Sequence, residues 1–214
     1  MAVVCPNILA GNQELYDQQI KRVVDFAHRI QIDLADGMFA KPKTVEPTEA
    51  WWPAAAQADI HLMFGRPLAA AQVLLRHSPH LIIVHAEAEG NFGELAAACR
   101  QAGVKVGVAL LPETPVSKIT DGLNDIDHVL IFSGSLGSFG GHANLSLLDK
   151  VKQLRELKSE LEIGWDGGIN DQNTAQLILG GVDVLDVGGF IQQADDPAKA
   201  FAKLLRIADE TGTT

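Results

Sequence analysis

The feature that most constrains the fold of this chain is a regular alternation of short apolar runs and segments with helical apolar spacing. The apolar runs predict strands at residues 3–9, 30–34, 59–64, 81–88, 105–111, 128–133, 161–165 and 182–189. The segments that follow them predict helices at residues 13–29, 48–58, 67–78, 92–103, 115–123, 145–160, 170–181 and 196–210. Several runs are apolar almost throughout, which is typical of parallel strands covered on both faces.

Eight such units in 214 residues predict the α/β class and a single-domain (β/α)8 TIM barrel that spans residues 1–214. No linker interrupts the units. An open doubly wound sheet is the alternative. That fold more often carries a glycine fingerprint after its first strand, and residues 5–14, "CPNILAGNQE", contain none.

Composition excludes several classes of function. The net charge of −10, with no basic stripe, argues against binding to nucleic acid. No apolar run approaches the ~20 residues of a membrane helix, and the first twelve residues do not resemble a signal peptide. Cys5 and Cys99 are too few for a disulfide framework. We therefore expect a cytoplasmic protein with no nucleic acid or membrane partner.

Polar side chains lie at the carboxyl ends of several predicted strands, where a barrel of this kind places its active site. These side chains are Asn7, Gln31, Asp33, His61 with Met63 beside it, His85, Glu87 and Asp166. Gln31 and Asp33 are two residues apart, so they share one face of a strand. Buried carboxylates need a metal, a cation or a shared proton, and the set therefore indicates a functional site.

Glycine pairs follow the last three predicted strands. They are Gly140 and Gly141, Gly167 and Gly168, and Gly188 and Gly189. Loops after strands seven and eight of this barrel usually bind phosphate through free backbone N–H groups, and glycine lets the chain approach the anion closely. The three pairs predict a phosphate-binding site.

At this level of detail the sequence resembles the ribulose-phosphate 3-epimerase family over nearly its whole length. Seven segments of this chain each resemble a family motif, given second in each pair. In the first half they are "CPNIL" and P-S-I-L, "IQIDLADGMF" and H-x-D-x-M-D-G-x-F, "DIHLMF" and D-x-H-L-M, and "HAEA" and H-x-E-A. In the second half they are "SGSLGSFGGHAN" and N-P-G-F-G-G-Q, "WDGGIN" and V-D-G-G-I, and "DVGGFI" and A-G-S-A-I. The resemblance implies a sugar-phosphate epimerase with a small-molecule sugar phosphate as partner. We also expect a homo-oligomer.

The resemblance further implies a divalent metal, zinc or iron, or alternatively manganese or cobalt, held by two histidines and two aspartates. Asp33 and Asp166 match the aspartates, which in the family transfer protons on opposite faces of an enediolate. His61 matches one histidine. Gln31 stands where the other histidine belongs, so metal binding at this position is altered. An amide oxygen is a weaker zinc ligand than an imidazole.

Other differences from the family motifs fall on residues expected to bind the substrate or its phosphate. Asn7 replaces a serine, His142 replaces a glutamine of the phosphate loop, and Gly189 replaces a serine. Met63 is retained. The residues expected to bind substrate are Asn7, Met63 and His142.

Three functions remain open from the sequence. The first is a metal-assisted ketose-phosphate 3-epimerase, for ribulose 5-phosphate and xylulose 5-phosphate or a related sugar phosphate. The second is a sugar-phosphate-binding barrel that has lost a metal ligand and catalysis. The third is a lyase or decarboxylase, whose relatives use D-x-K-x-x-D. The corresponding segment here, "DLADG", has no lysine.

Overall fold

The computed structural model describes residues 2–212 and shows one closed barrel of eight parallel strands. The strands are β1 (Val3–Ile8), β2 (Arg29–Ala35), β3 (Gln57–Met63), β4 (Leu81–His85), β5 (Lys105–Leu110), β6 (His128–Phe132), β7 (Glu162–Asp166) and β8 (Val184–Val187). Each strand pairs with the next along the chain, and β8 pairs with β1. The predicted TIM barrel is confirmed, and the open-sheet alternative is wrong.

Seven α-helices accompany the strands in the described part of the chain. They are α1 (Gln13–Val23), α2 (Leu68–Leu74), α3 (Phe92–Gln101), α4 (Leu148–Leu157), α5 (Thr174–Leu179), α6 (Gly189–Gln192) and α7 (Pro197–Gly212). Asn12 and Asn91 cap α1 and α3 by accepting a hydrogen bond from a first-turn N–H group. The observed helices begin and end within a few residues of most predicted ones.

Two of the predicted helices are wrong. Residues 48–58 form turns and the first residues of β3, because Pro53 lies in the middle of the segment, lacks an amide hydrogen and clashes with a preceding helical turn. Residues 115–123 contribute to two 3₁₀ segments, Val116–Lys118 and Thr120–Asp125. The second contains Gly122, which disfavours a regular helix.

Alternate residues of each strand face opposite sides of the barrel wall. In β2, Ile30, Ile32 and Leu34 belong to the large apolar layer beneath the helices, so Gln31 and Asp33 face the barrel interior. On the opposite side of the interior a separate apolar cluster fills the space, formed by Leu81, Ile83, Ala109 and Leu130. The interior therefore contains an apolar cluster as well as buried polar side chains.

Among the described residues, no helix combines the length and the apolar character needed to cross a membrane.

Candidate active site

Two carboxylates from distant strands meet at the carboxyl-terminal mouth of the barrel. Asp33 lies near the end of β2 and Asp166 is the last residue of β7. The Gln31 side-chain nitrogen Nε2 lies 2.9 Å from Asp33 Oδ1 and 2.8 Å from Asp166 Oδ2, so one amide donates to both carboxylates. Asn7 Nδ2 lies 3.3 Å from Oδ2 of each. The barrel thus joins residues that are far apart in the sequence through shared donors.

His61 completes this cluster from β3, where it is paired in register with Asp33. Its Nδ1 lies 2.9 Å from Asp33 Oδ1 and 3.8 Å from Asp166 Oδ2. One ligand atom from each of these three residues lies within 4.8 Å of the others. Catalytic metal sites commonly have three protein ligands, and two carboxylates and one imidazole supply three ligands here. The arrangement could therefore hold a metal ion.

Burial controls the protonation of these groups. Desolvation raises the pKa of Asp33 to about 7, although Gln31 and Asn7 partly oppose it through hydrogen bonds. Desolvation and the nearby charge of Asp33 raise the pKa of Asp166 to about 7. Burial lowers the pKa of His61 to about 4, against the opposing effect of Asp166. Near neutral pH the imidazole is neutral, and the two carboxyl groups are close to the point at which they gain or lose a proton, as groups in acid–base sites commonly are.

A second histidine contacts the edge of the His61 ring that faces away from the two carboxylates. The Nε2 atoms of His61 and His85 are 2.9 Å apart, and His85 is buried at the end of β4. Its Nδ1 lies 3.4 Å from Glu87 Oε2. The sequence placed His85 and Glu87 at a strand end without assigning them a role, because their contact with His61 depends on how β3 and β4 pair.

The carboxylates open into a cavity of about 250 Å³ that is lined by the glycine loops. All six predicted phosphate-binding glycines line it: Gly140, Gly141, Gly167, Gly168, Gly188 and Gly189. Gly168 has a φ of +70°, and a Cβ atom there would lie 2.1 Å from the backbone nitrogen of Ala143. This position therefore requires glycine, because the β6–α4 and β7–α5 loops touch through their backbones. Among the described lining residues, none is lysine or arginine.

Of the remaining predicted site residues, two line the cavity and two do not. Asn7 and Met63 line the cavity together with Asp33, His61 and Asp166. Gln31 is fully buried and does not line the cavity, and its Oε1 has no hydrogen-bond partner among the described residues. His142 is exposed and does not line the cavity.

Sequence reasoning missed several lining residues. These are Phe139, Asn170, Asp186, Phe190 and Gln193. Asp186 is paired in register with Asp166 on the neighbouring strand. It lies in a run, "VDVLDV", whose alternation of acidic and apolar residues was the available signal.

Solved structures with the same fold include two of similar length. One is 3-hexulose-6-phosphate synthase from Salmonella typhimurium, with a TM-score of 0.74 and 14% identity, over 98% of this chain and 99% of that one. The other is KGPDC from Streptococcus mutans, with a TM-score of 0.74 and 11% identity, over 99% of each chain. At such low identity these likenesses concern the fold alone.

Sequence relatives are more informative. Residues 3–191 match the model of the "Ribulose-phosphate 3 epimerase family". The ribulose-phosphate 3-epimerase of Bacillus subtilis (strain 168) is 31% identical over 95% of this chain and 98% of its own length. That of Mycobacterium leprae (strain TN) is 33% identical over 96% of this chain and 95% of its own length. The chain therefore belongs to the ribulose-phosphate 3-epimerase family, a family of isomerases of the epimerase type.

Proposed function

We propose that this protein is a ketose-phosphate 3-epimerase that interconverts ribulose 5-phosphate and xylulose 5-phosphate, or a closely related pair. One observation carries the proposal. Asp33 and Asp166 approach each other from β2 and β7 at the bottom of one glycine-lined cavity. Inversion at a carbon next to a carbonyl needs one base and one acid on opposite faces of that carbon, and two carboxyl groups supply both.

The raised pKa values give these carboxyl groups their roles. Near neutral pH the pair holds a proton, because desolvation and mutual repulsion disfavour two adjacent charges. The ionised member takes the proton from C3 and leaves an enediolate. The protonated member then returns a proton to the other face of C3. Gln31 and Asn7 hold both groups in place through the hydrogen bonds that they donate.

We propose that Asp33, His61 and Asp166 hold a divalent metal, with zinc or iron as the first candidates and manganese or cobalt as the alternatives. The donor set fits, as three ligand atoms lie close together. Gln31 presents its nitrogen to the carboxylates, and its buried Oε1 is unpartnered. Rotation of the amide by half a turn would exchange the two atoms and make Oε1 available as a fourth ligand. A divalent ion held by these residues would supply positive charge that stabilises the enediolate.

The glycine loops suit the phosphate end of the substrate. No lysine or arginine is present among the described residues that line the cavity, so backbone N–H groups would supply the donors. The proposed phosphate contacts come from Gly140, Gly141, Gly167, Gly168, Gly188 and Gly189. Asn7 and Met63 would contact the sugar, and His142 would contact it only after a movement of its loop. A homo-oligomeric state, a cytoplasmic location and independence from nucleic acid and membranes stay predictions.

Solvent exchange at C3 tests the proposal. In D₂O, zinc-loaded protein should convert ribulose 5-phosphate to xylulose 5-phosphate and place deuterium at C3 of both sugars. Asp166→Asn should lower the rate by at least about 10³-fold, because an amide neither takes nor returns the proton. Retained binding of ribulose 5-phosphate by the variant would show that its cavity is intact. Normal turnover by Asp166→Asn would contradict the assignment.

A second candidate is a sugar-phosphate-binding barrel without catalysis. The observation that favours it is the Gln31 amide nitrogen, which satisfies both carboxylates where the family has a histidine ligand. Tight binding of ribulose 5-phosphate with no C3 exchange at any metal concentration would select this function.

A further inference from the structure

A continuous series of side-chain contacts runs from the proposed metal site towards the outer loops of the barrel. His61 Nδ1 faces Asp33 and Asp166, and His61 Nε2 lies 2.9 Å from His85 Nε2. His85 Nδ1 in turn lies 3.4 Å from Glu87 Oε2. These last two atoms are buried, and neither makes a hydrogen bond with any described residue.

A metal ion on His61 would fix where each histidine carries its hydrogen. A neutral imidazole has one N–H donor and one bare acceptor nitrogen. A metal takes the bare nitrogen, so His61 Nδ1, which faces the two carboxylates, would be bare and His61 Nε2 would carry the hydrogen. His85 Nε2 would accept that hydrogen, and His85 would carry its own hydrogen on Nδ1, towards Glu87 Oε2. Without a metal, Asp33 Oδ1 at 2.9 Å from His61 Nδ1 favours the opposite arrangement.

Glu87 is itself held firmly as an acceptor. Its Oε1 accepts from the backbone N–H of Leu111 at 3.2 Å and from the hydroxyl of Thr114. Although burial raises it, the nearby His85 and the hydroxyl of Thr114 bring the pKa of Glu87 down to about 2. Lys150 Nζ fixes the same loop by donating to the carbonyl oxygens of Leu111, Pro112 and Thr114 at 2.7–2.8 Å.

We propose that Glu87 and His85 are positioning residues that keep His61 in its Nε2–H form, so that Nδ1 is free to bind the metal. The inference rests on the metal site of the proposed function. A histidine ligand whose other nitrogen donates to a further polar group is held in one tautomer and orientation, and loss of that partner commonly weakens metal binding by about 10–100-fold. Here His85 orients His61, and the carboxylate of Glu87 orients His85.

The test replaces Glu87 by glutamine and measures zinc affinity by competition with a chelator, together with the histidine tautomers by ¹⁵N NMR. Glutamine can keep the contacts of Oε1 with Leu111 and Thr114, but its amide donates to His85 Nδ1. In the zinc-loaded wild type we expect the hydrogens on His61 Nε2 and His85 Nδ1, and in the variant the amide hydrogen that faces His85 Nδ1 opposes this arrangement. Zinc affinity should fall by about 10–100-fold.

Glu89→Gln is the matched control, because Glu89 is two residues further along the chain, exposed, and paired with exposed Arg66. Its zinc affinity should stay within about threefold of the wild type. Spectra of the zinc-loaded wild type showing His85 with its hydrogen on Nε2 would overturn the inference without any variant, as would unchanged zinc affinity in a folded Glu87→Gln protein. Absence of C3 exchange in the wild type would contradict the proposed function and leave the tautomer result standing.

Discussion

The two ends of the same barrel use similar residues to opposite effect. At the amino-terminal end, Arg29 donates to Asp59 at 2.7 Å and pairs with both oxygens of Glu162 at 2.8–2.9 Å. His80 and His128 contact the same two carboxylates. At the mouth, Asp33 and Asp166 have amide donors and a neutral imidazole, and no arginine or lysine lines the cavity among the described residues.

The pKa directions express this difference. Although burial raises it, hydrogen bonds from Arg29 and His128 bring the pKa of Glu162 well below its usual range. The pKa values of Asp33 and Asp166 are raised, with desolvation as the largest cause. At the amino-terminal end of the barrel, Arg29 forms ion pairs with both Asp59 and Glu162. The mouth has negative charge that the described chain does not neutralise, which is the condition expected of a group that binds a cation or transfers a proton.

The largest expected effect comes from removing the arginine of the ion pairs at the amino-terminal end of the barrel. Arg29→Met keeps much of the side-chain length and leaves Asp59 and Glu162 without their cation. The free energy of unfolding should fall by about 3–5 kcal/mol. Urea unfolding at pH 7 in the presence of a chelator measures it. In the same assay Asp166→Asn should be at least as stable as the wild type, because it relieves repulsion with Asp33. Equal losses in the two variants would contradict the comparison.

The next effect is a dependence of stability on pH. A carboxyl group whose pKa is raised on folding stabilises the protein below its unfolded pKa, and this contribution is lost as pH rises through the folded pKa. Between pH 5.5 and pH 8 the free energy of unfolding of the metal-free wild type should therefore fall by about 2 kcal/mol relative to that of Asp166→Asn, which lacks one such carboxyl group. The buried neutral His61 and His85, whose pKa values are lowered to about 4, act in the opposite sense over this range, but both proteins contain them and the comparison cancels their effect. Glu162 acts in the opposite sense and only in acid, since its pKa is lowered. A difference between the two proteins that stays constant over this range would refute the assignment.

The smallest effect tests Gln31. Gln31→His should tighten zinc binding by about tenfold, because an imidazole is a better zinc ligand than an amide oxygen. Gln18→His is the control, since Gln18 is exposed on α1 and far from the mouth along the chain. Equilibrium titration against a chelator measures both. Unchanged affinity in Gln31→His would show that position 31 does not contact the metal.

Prediction from the sequence succeeded where local pattern was sufficient. The eight strands, most helices and the glycine loops follow from apolar spacing and turn residues, both of which are local. The two wrong helices also have local causes in Pro53 and Gly122. Asp33, His61 and Asp166 were identified by their positions at strand ends combined with the family resemblance. His85 and Glu87 received no role, because nothing local distinguishes a histidine that orients a ligand from one that packs.

The sequence by itself determined that this chain forms a TIM barrel and which side chains stand at the ends of its strands. Only the tertiary structure decided how those side chains meet. Gln31 directs its amide nitrogen to both carboxylates, His142 lies outside the cavity, and Arg29 pairs with acidic side chains at the amino-terminal end of the barrel. The physical reason is that apolar periodicity specifies each strand separately. Contacts between β2 and β7 exist only once the barrel has closed and fixed the register of every strand between them.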